Sequence, residues 1–174
     1  MAELVALPPQ DRFILRGTAC LEFGLGLPAT PCRTAGDWAL WLGPDEWLLL
    51  AEHGAGPDLW TRIGEAAAGR AYALVDVSHR EVALQVSGAD AADVLNGAVA
   101  LDLSKTAFPV GMCTRTVCGK AEIVLWRRAV DSWRIEVQRS YAGYVPGLLS
   151  AVAACDGIPL SVLLGGEKSN TESH

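Results

Sequence analysis

Lysine is scarce in this chain. Of 14 basic residues only Lys105, Lys120 and Lys168 are lysines, and the basic residues nowhere cluster. A nucleic-acid backbone requires a concentrated positive face, and these 174 residues carry a net charge of −6, so nucleic acid is excluded as a partner. The same dispersion excludes a polybasic membrane-binding patch. No stretch approaches the ~20 consecutive apolar residues that a membrane span needs. The richest runs are broken at Gly43-Pro44-Asp45-Glu46 and at Asp156-Gly157. Residues 1–13 show no basic segment followed by an apolar one, which is unlike a secretory signal. The expected location is the cytoplasm.

The spacings that carry common chemistries are missing too. Five cysteines at irregular intervals, with no CxxC pair, argue against a disulfide framework and read as free thiols in a reducing compartment. His53, His79 and His174 lie far apart, so no metal-ligand cluster is visible. Gly24-Leu25-Gly26 lacks the third glycine of a dinucleotide loop, and Gly119-Lys120 lacks the glycine and hydroxyl residue of a phosphate-binding loop. Asp76-Val77-Ser78-His79 contains the residue types of a hydrolytic triad. Adjacent strand residues diverge, however, and the segment reads better as a turn that orders a chain crossing. Cys113 reads as a buried structural thiol; the alternative is a thiolate activated by the nearby Arg115. No catalytic, cofactor-binding or metal-ligating residue is assigned.

What is present is an ordinary globular composition, 51% hydrophobic and 20% charged. A chain of this size can bury roughly 70% of its unfolded surface, so it needs neither metal nor disulfide to fold. Residues 1–32, interrupted by Pro8, Pro9 and Pro28, predict an extended arm, with Leu21, Phe23, Leu25 and Leu27 in strand-like alternation. Such an arm must be buried against its own domain or another chain. Trp38–Leu42 and Trp47–Leu50 flank a Gly-Pro-Asp turn, which predicts a hairpin. A helix follows Pro57, and a strand covers residues 73–77. The pattern then restarts with a strand at 82–86, a short helix after Asp90, strands at 114–118, 122–126 and 133–137, and a helix within 141–155. Strands, helix and strand thus occur twice, predicting an α+β fold whose halves share a core over residues 33–164, before a polar tail at 165–174. Six tryptophans are many for this length. Trp126 reads as core. Trp38, Trp41, Trp47 and Trp133, together with Arg115, Arg127, Arg139 and Tyr141, are candidate interface residues, because Trp, Tyr and Arg anchor interfaces.

An ordered series of motifs carries a family resemblance. It runs through Leu42-Gly43-Pro44-Asp45-Glu46-Trp47-Leu48-Leu49, Val75-Asp76-Val77-Ser78-His79-Arg80, Leu101-Asp102-Leu103 and Phe108-Pro109-Val110-Gly111. It continues with Cys113-Thr114-Arg115-Thr116, Lys120-Ala121-Glu122, Leu125-Trp126-Arg127 and Arg139-Ser140-Tyr141-Ala142. The series resembles the gamma subunits of bacterial heterotetrameric sarcosine oxidases over about residues 28–150, with Tyr141 in place of a phenylalanine. The resemblance implies two ferredoxin-like halves of antiparallel strands and helices, as in the folate-binding aminomethyltransferases. It implies a non-catalytic chain that packs against an alpha subunit, with beta and delta subunits in the same complex. That complex demethylates sarcosine oxidatively to glycine. FAD, FMN, NAD, tetrahydrofolate and zinc are implied on the other subunits and no cofactor on this one. Two alternatives are a subunit of a related N-methyl amino-acid dehydrogenase, such as N-methylglutamate dehydrogenase, and a free-standing folate-binding aminomethyltransferase-like protein.

Overall fold

The computed structural model describes residues 1–164; the tail expected to be polar lies outside the described residues. Along the chain come β1 (Ala2–Ala6), β2 (Gln10–Arg16), a 3₁₀ turn (Cys20–Phe23), β3 (Thr34–Ala35), β4 (Ala39–Gly43) and β5 (Glu46–Glu52). Helix α1 (Gly56–Ala67) precedes β6 (Ala73–Asp76) and β7 (Glu81–Ser87), and α2 (Ala91–Asn96) precedes β8 (Cys113–Cys118). Then follow β9 (Ala121–Ala129), β10 (Ser132–Gln138), α3 (Tyr144–Cys155) and β11 (Leu160–Leu163).

The strands form two sheets, ordered β3-β4-β5-β2-β6 and β11-β1-β7-β10-β9-β8. All pairings are antiparallel except β1 with β11. In the first sheet β4, β5, β2 and β6 take the order of a ferredoxin-like unit, with the 3₁₀ turn in place of its first helix. The second sheet repeats that plan with β9, β10, β7 and β11, and β1 is inserted between β7 and β11. The α+β class and its doubled halves are therefore as the sequence predicts.

The N-terminal segment differs from expectation. Residues 2–6 and 10–16 are regular strands within the domain, and Cys20–Phe23 is a 3₁₀ turn rather than a strand. Pro8 and Pro9 do not prevent this, because they fall in the gap where the chain leaves one sheet for the other. A strand at each flank restores the backbone hydrogen bonds that an isolated arm would lack.

Alternation along the central strands explains the layering. On β5, Trp47 and Leu49 join α1 residues Leu59, Ile63 and Ala67 in one core, while Leu48 and Leu50 face the other sheet. On β9, Ile123 and Leu125 face α2 and α3, while Val124 and Trp126 face Leu48, Leu50 and Val77. Strands apolar on both faces must lie in inner layers, so helices cover the outside and the two sheets meet face to face. Helix α1 starts with Pro57 in its first turn and stops where Ala68 turns left-handed at φ 49°. Asp11 of β2 accepts hydrogen bonds from the amides of Gly54 and Gly56, tying the helix start to the sheet.

One polar cluster crosses the apolar layer between the sheets. Arg12 of β2 donates from Nε to Glu136 Oε2 of β10 at 2.7 Å, and Arg134 Nε donates to the other carboxylate oxygen at 2.6 Å. All three residues are buried, and Arg12 also donates to the Gln10 carbonyl at 2.9 Å. Two buried guanidiniums thus depend on one carboxylate. Glu136→Gln should destabilise the chain by about 3–5 kcal/mol in urea unfolding, because the charges left behind have no partner. Replacing all three together (Arg12→Met, Arg134→Met, Glu136→Leu) should come within about 1–2 kcal/mol of the parent. Equal losses for the single and triple variants would refute this account. At Gly147 of α3 an added Cβ meets nothing within 4 Å. Gly147→Ala should therefore raise stability by about 0.5–1 kcal/mol in the same assay, and a loss would count against the helix geometry.

Candidate functional site

Residues far apart in the chain come together where the β4–β5 turn meets the second sheet. Glu46 starts β5 and is nearly buried, and its carboxylate accepts from Arg16 Nη2 at 3.0 Å and from Arg115 Nη2 at 2.9 Å. Arg16 ends β2 and Arg115 lies on β8, so this is a second ionic clamp across the sheets. Burial alone would raise the Glu46 carboxyl. The hydrogen bond and charge of Arg115, with those of Arg16, outweigh it and hold the group below its ordinary value. The acidic residue of the Gly-Pro-Asp-Glu turn is thus the partner of the arginine in Cys113-Thr114-Arg115-Thr116.

Beside the clamp the sheets enclose a cleft of about 450 Å³. Its apolar walls include Ile14, Leu42, Leu48, Val75, Val77 and Val124, and its charged groups are those of Arg16, Arg80, Arg115, Glu46, Glu81, Glu122 and Glu136. The arrangement can hold a ligand with both an apolar body and a charged end. A shallower hollow of about 370 Å³ lies between the start of α1 and the β6–β7 crossing, where Phe13 and the exposed Trp60 meet edge to face. Arg139 lines this second hollow.

The interface candidates divide by burial. Trp47 and Trp133 are fully buried and Arg127 is 3% exposed, which takes these three out of any docking surface and is a correction to the expectation. Trp47 donates from Nε1 to the Pro28 carbonyl at 2.9 Å and pins the preceding loop. Arg127 stacks 4.7 Å over the Trp133 ring and donates to the carbonyls of Phe108 (2.8 Å) and Val130 (2.6 Å). Its charge is spent on fastening the loop before β8, because a stacked guanidinium with carbonyl acceptors can be desolvated. Trp126 is core, as expected. Trp38, Trp41 and Tyr141 are half-buried, and Arg115 and Arg139 are exposed. These five do not form one patch, since Arg115 lines the cleft and Arg139 the second hollow. Sequence reasoning missed Arg12, Arg16, Arg134 and Glu136. Arg134 and Glu136 carry one signal, a charge between apolar strand neighbours, whereas Arg12 beside Asp11 and Arg16 at the end of β2 lack it.

Ser78 donates to Asp76 at 2.6 Å and receives the Arg12 amide at 2.9 Å, so Asp76 and Ser78 order the crossing between the sheets. Cys113 is buried with Sγ 3.5 Å from the carbonyls of Arg33 and Trp41. Burial first, and Cys32 second, push its thiol up to about 12, which removes the thiolate alternative. Among the described residues no group of three or more His, Cys, Asp or Glu could hold a metal ion, and no helix is long and apolar enough to cross a membrane.

Two packed ferredoxin-like halves place the chain in a known class of α+β fold. It superimposes on the glycine cleavage system aminomethyltransferase T from Bartonella henselae with a TM-score of 0.65, covering 92% of this chain and 47% of that one. At 15% identity that likeness concerns the fold alone. A chain of the heterotetrameric sarcosine oxidase from Corynebacterium sp. U-96, in complex with pyrrole 2-carboxylate, matches with a TM-score of 0.78 and 31% identity. That match covers 88% of this chain and 84% of that one. The sarcosine oxidase subunit gamma of Corynebacterium sp. (strain U-96) is 36% identical over 122 residues, which is 68% of this chain and 58% of that relative. A family model described as "Sarcosine oxidase, gamma subunit family" matches residues 16–155. The chain belongs to the sarcosine oxidase gamma subunit family.

Two predictions test this geometry. A carboxyl held below its unfolded value adds stability above the ordinary glutamate range, and that contribution is lost as pH falls through the folded value. Glu46→Gln should therefore be less stable than the parent at neutral pH, and the gap should close on acidification in urea titrations at stepped pH. A gap unchanged by pH would contradict the clamp. Alkylation of the native chain by iodoacetamide at neutral pH should label the exposed Cys155 and spare Cys20, Cys113 and Cys118, read by peptide mass spectrometry. Fast labelling of Cys113 would overturn its structural role.

Proposed function

We propose that this chain is the non-catalytic gamma subunit of a heterotetrameric sarcosine oxidase of the cytoplasm. Its work there is to stabilise the folate-binding alpha subunit by docking onto it, in a complex completed by beta and delta subunits. In that assembly sarcosine and oxygen become glycine and hydrogen peroxide, and the one-carbon unit leaves either as formaldehyde, with uptake of one water, or on tetrahydrofolate as its methylene derivative, with no net uptake of water. FAD, FMN, NAD, tetrahydrofolate and zinc reside on the other subunits. The observation that carries the reading is the match, over 88% of this chain, to a chain of a heterotetrameric sarcosine oxidase.

The physical use of the family motifs supports it. Glu46 and Arg115 clamp the two sheets, Trp47 and Trp126 fill the cores, and Asp76 and Ser78 order the crossing. Motif residues spent on rigidity suit a chain whose contribution is a fixed surface. Trp38, Trp41, Arg115, Arg139 and Tyr141 keep surface from which that contact can be built. A standard interface of ~1,600 Å² holds a partner in place by mass action on its folded state.

Co-expression of the partner subunits without this chain should lower the yield and thermal midpoint of the assembled complex. Any surviving alpha–beta pair should still have its flavin reduced by sarcosine. A complex of undiminished stability without this chain would sink the stabilising role. Loss of flavin reduction in a properly assembled pair would sink the non-catalytic one.

A further inference from the structure

The two sheets meet at their edges as well as face to face. Arg33, just before β3 at the edge of the five-stranded sheet, bridges antiparallel to Met112, just before β8 at the edge of the six-stranded one. On one side of that bridge the Cys113 amide donates to the Cys32 carbonyl at 3.0 Å; on the other the Thr34 amide donates to the Gly111 carbonyl at 3.1 Å. The register set by these bonds puts Cys32 opposite Cys113. Opposed residues of an antiparallel pairing have Cα atoms roughly 4.5–5.5 Å apart, inside the span of roughly 4.4–6.8 Å that a disulfide bridges.

Further observations single out this pair. Cys113 Sγ lies against the facing segment, 3.5 Å from the Arg33 carbonyl. Cys32 is near enough to act on the Cys113 thiol, which burial first and Cys32 second push up to about 12. Cys32 itself sits at φ 57°, and among the described residues Ala68 alone shares a positive φ without being glycine. Ala68 ends a helix, whereas Cys32 lies in the turn before β3. A cysteine held where glycine or asparagine sits more easily is an outlier whose use is to be sought in its side chain. Both thiols are free. Cys32 is half-buried between the exposed Pro31 and Arg33, so a small solute can reach it, while Cys113 is wholly buried.

We propose that Cys32 and Cys113 form a reversible thiol–disulfide site that responds to hydrogen peroxide and staples the two sheets at this seam. The Cys32 sulfur attacks peroxide; an S–O bond forms, the O–O bond breaks, and the departing hydroxide takes the thiol proton and leaves as water. The Cys113 sulfur then attacks the Cys32 sulfenic acid; the S–S bond forms, the S–O bond breaks, and a second water carries off the Cys113 proton. Two thiols are oxidised by two electrons in all and one peroxide is reduced to two waters. The raised Cys113 thiol makes the second step the slow one, in keeping with its poor reactivity toward iodoacetamide. A dithiol reverses the reaction by exchange. Under the docking reading the assembly itself releases peroxide, but the chemistry needs only the oxidant and this chain.

The test treats the full-length folded chain with hydrogen peroxide, blocks the remaining thiols with N-ethylmaleimide in urea, and maps unreduced peptides by mass spectrometry. A peptide pair joining Cys32 to Cys113 is expected, and dithiothreitol should dissolve it. The thermal midpoint of the oxidised chain should rise by about 5 °C or more, because a cross-link that closes a long loop restricts the unfolded chain. Cys113→Ala should leave Cys32 as a sulfenic acid that dimedone traps. That variant opens a gap in the core, so Cys32→Ser, at the half-buried position, is the second arm. It should keep a midpoint near that of the parent and lose both the link and the rise on oxidation. Four results would each overturn the proposal: no link when the exposed Cys155 is fully oxidised, a link that forms only in urea, Cys32 joined to a different cysteine, or a midpoint lowered by oxidation. The peroxide is added and no partner subunit is present, so failure leaves the docking reading standing and the reverse holds equally.

Discussion

Arg12 and Glu136 lie 124 residues apart in the chain and meet in the layer between the sheets. The rest of the architecture depends on that contact, because the Leu48, Leu50, Val77, Val124 and Trp126 cluster of the same layer is apolar and apolar packing alone does not dictate how one sheet is set against another. Hydrophobic burial is roughly proportional to area and has no direction. A buried carboxylate with a guanidinium on each oxygen tolerates little displacement, since any shift leaves a charge without a partner in a medium that cannot solvate it. The triad therefore fixes β2 against β10, and the Leu48, Leu50, Val124 and Trp126 layer packs around that fixed relation. Burial draws the Arg134 guanidinium below its ordinary value and Glu136 opposes the shift, the balance expected of a charge kept indoors by one partner.

A second constraint acts through connectivity. The chain begins in the six-stranded sheet, builds the five-stranded sheet, and returns through the Asp76–Arg80 crossing to complete the first. With β1 lodged between β7 and β11, the second half cannot close its sheet without the first residues of the chain. Neither half is then a separable domain. The Glu46 clamp reinforces the same junction, and the loop before β8 is fastened by Arg127 over Trp133. A gamma subunit family member built this way presents a stiff surface, which lowers the ordering cost of an interface.

Much of the fold was legible in the residues. The hairpin at 39–52 declared itself through two apolar runs around Gly43-Pro44-Asp45, and β7, β8, β9 and β10 through alternation. The early strands were hidden because Pro8 and Pro9 suggest interruption, and it takes the sheet topology to show that the interruption is the passage between sheets. The short β11 carries the same difficulty, since four residues hold too little period to read. The site was less legible than the fold. Arg115 was visible as a motif residue, but Arg12, Arg16 and Arg134 look like ordinary solvated strand arginines until the fold shows Glu136 reaching Arg12 from the other sheet, Glu46 beside Arg16 on the next strand, and Arg134 buried with Glu136. Trp47, Trp133 and Arg127 were misjudged as interface residues for the converse reason: a large side chain with a polar end suits a core and an interface equally well, and only its neighbours distinguish the two.

The sequence by itself determined most of the local elements and the family, because period, turn residues and ordered motifs are properties of near neighbours in the chain. Tertiary structure alone decided which charges are buried and paired, where the N-terminal strand is lodged, and which side chains line the cleft between the sheets. Those features arise from contacts between residues as far apart as Ala2 and Leu160, and the energy of a charge is set by what surrounds it rather than by what precedes it.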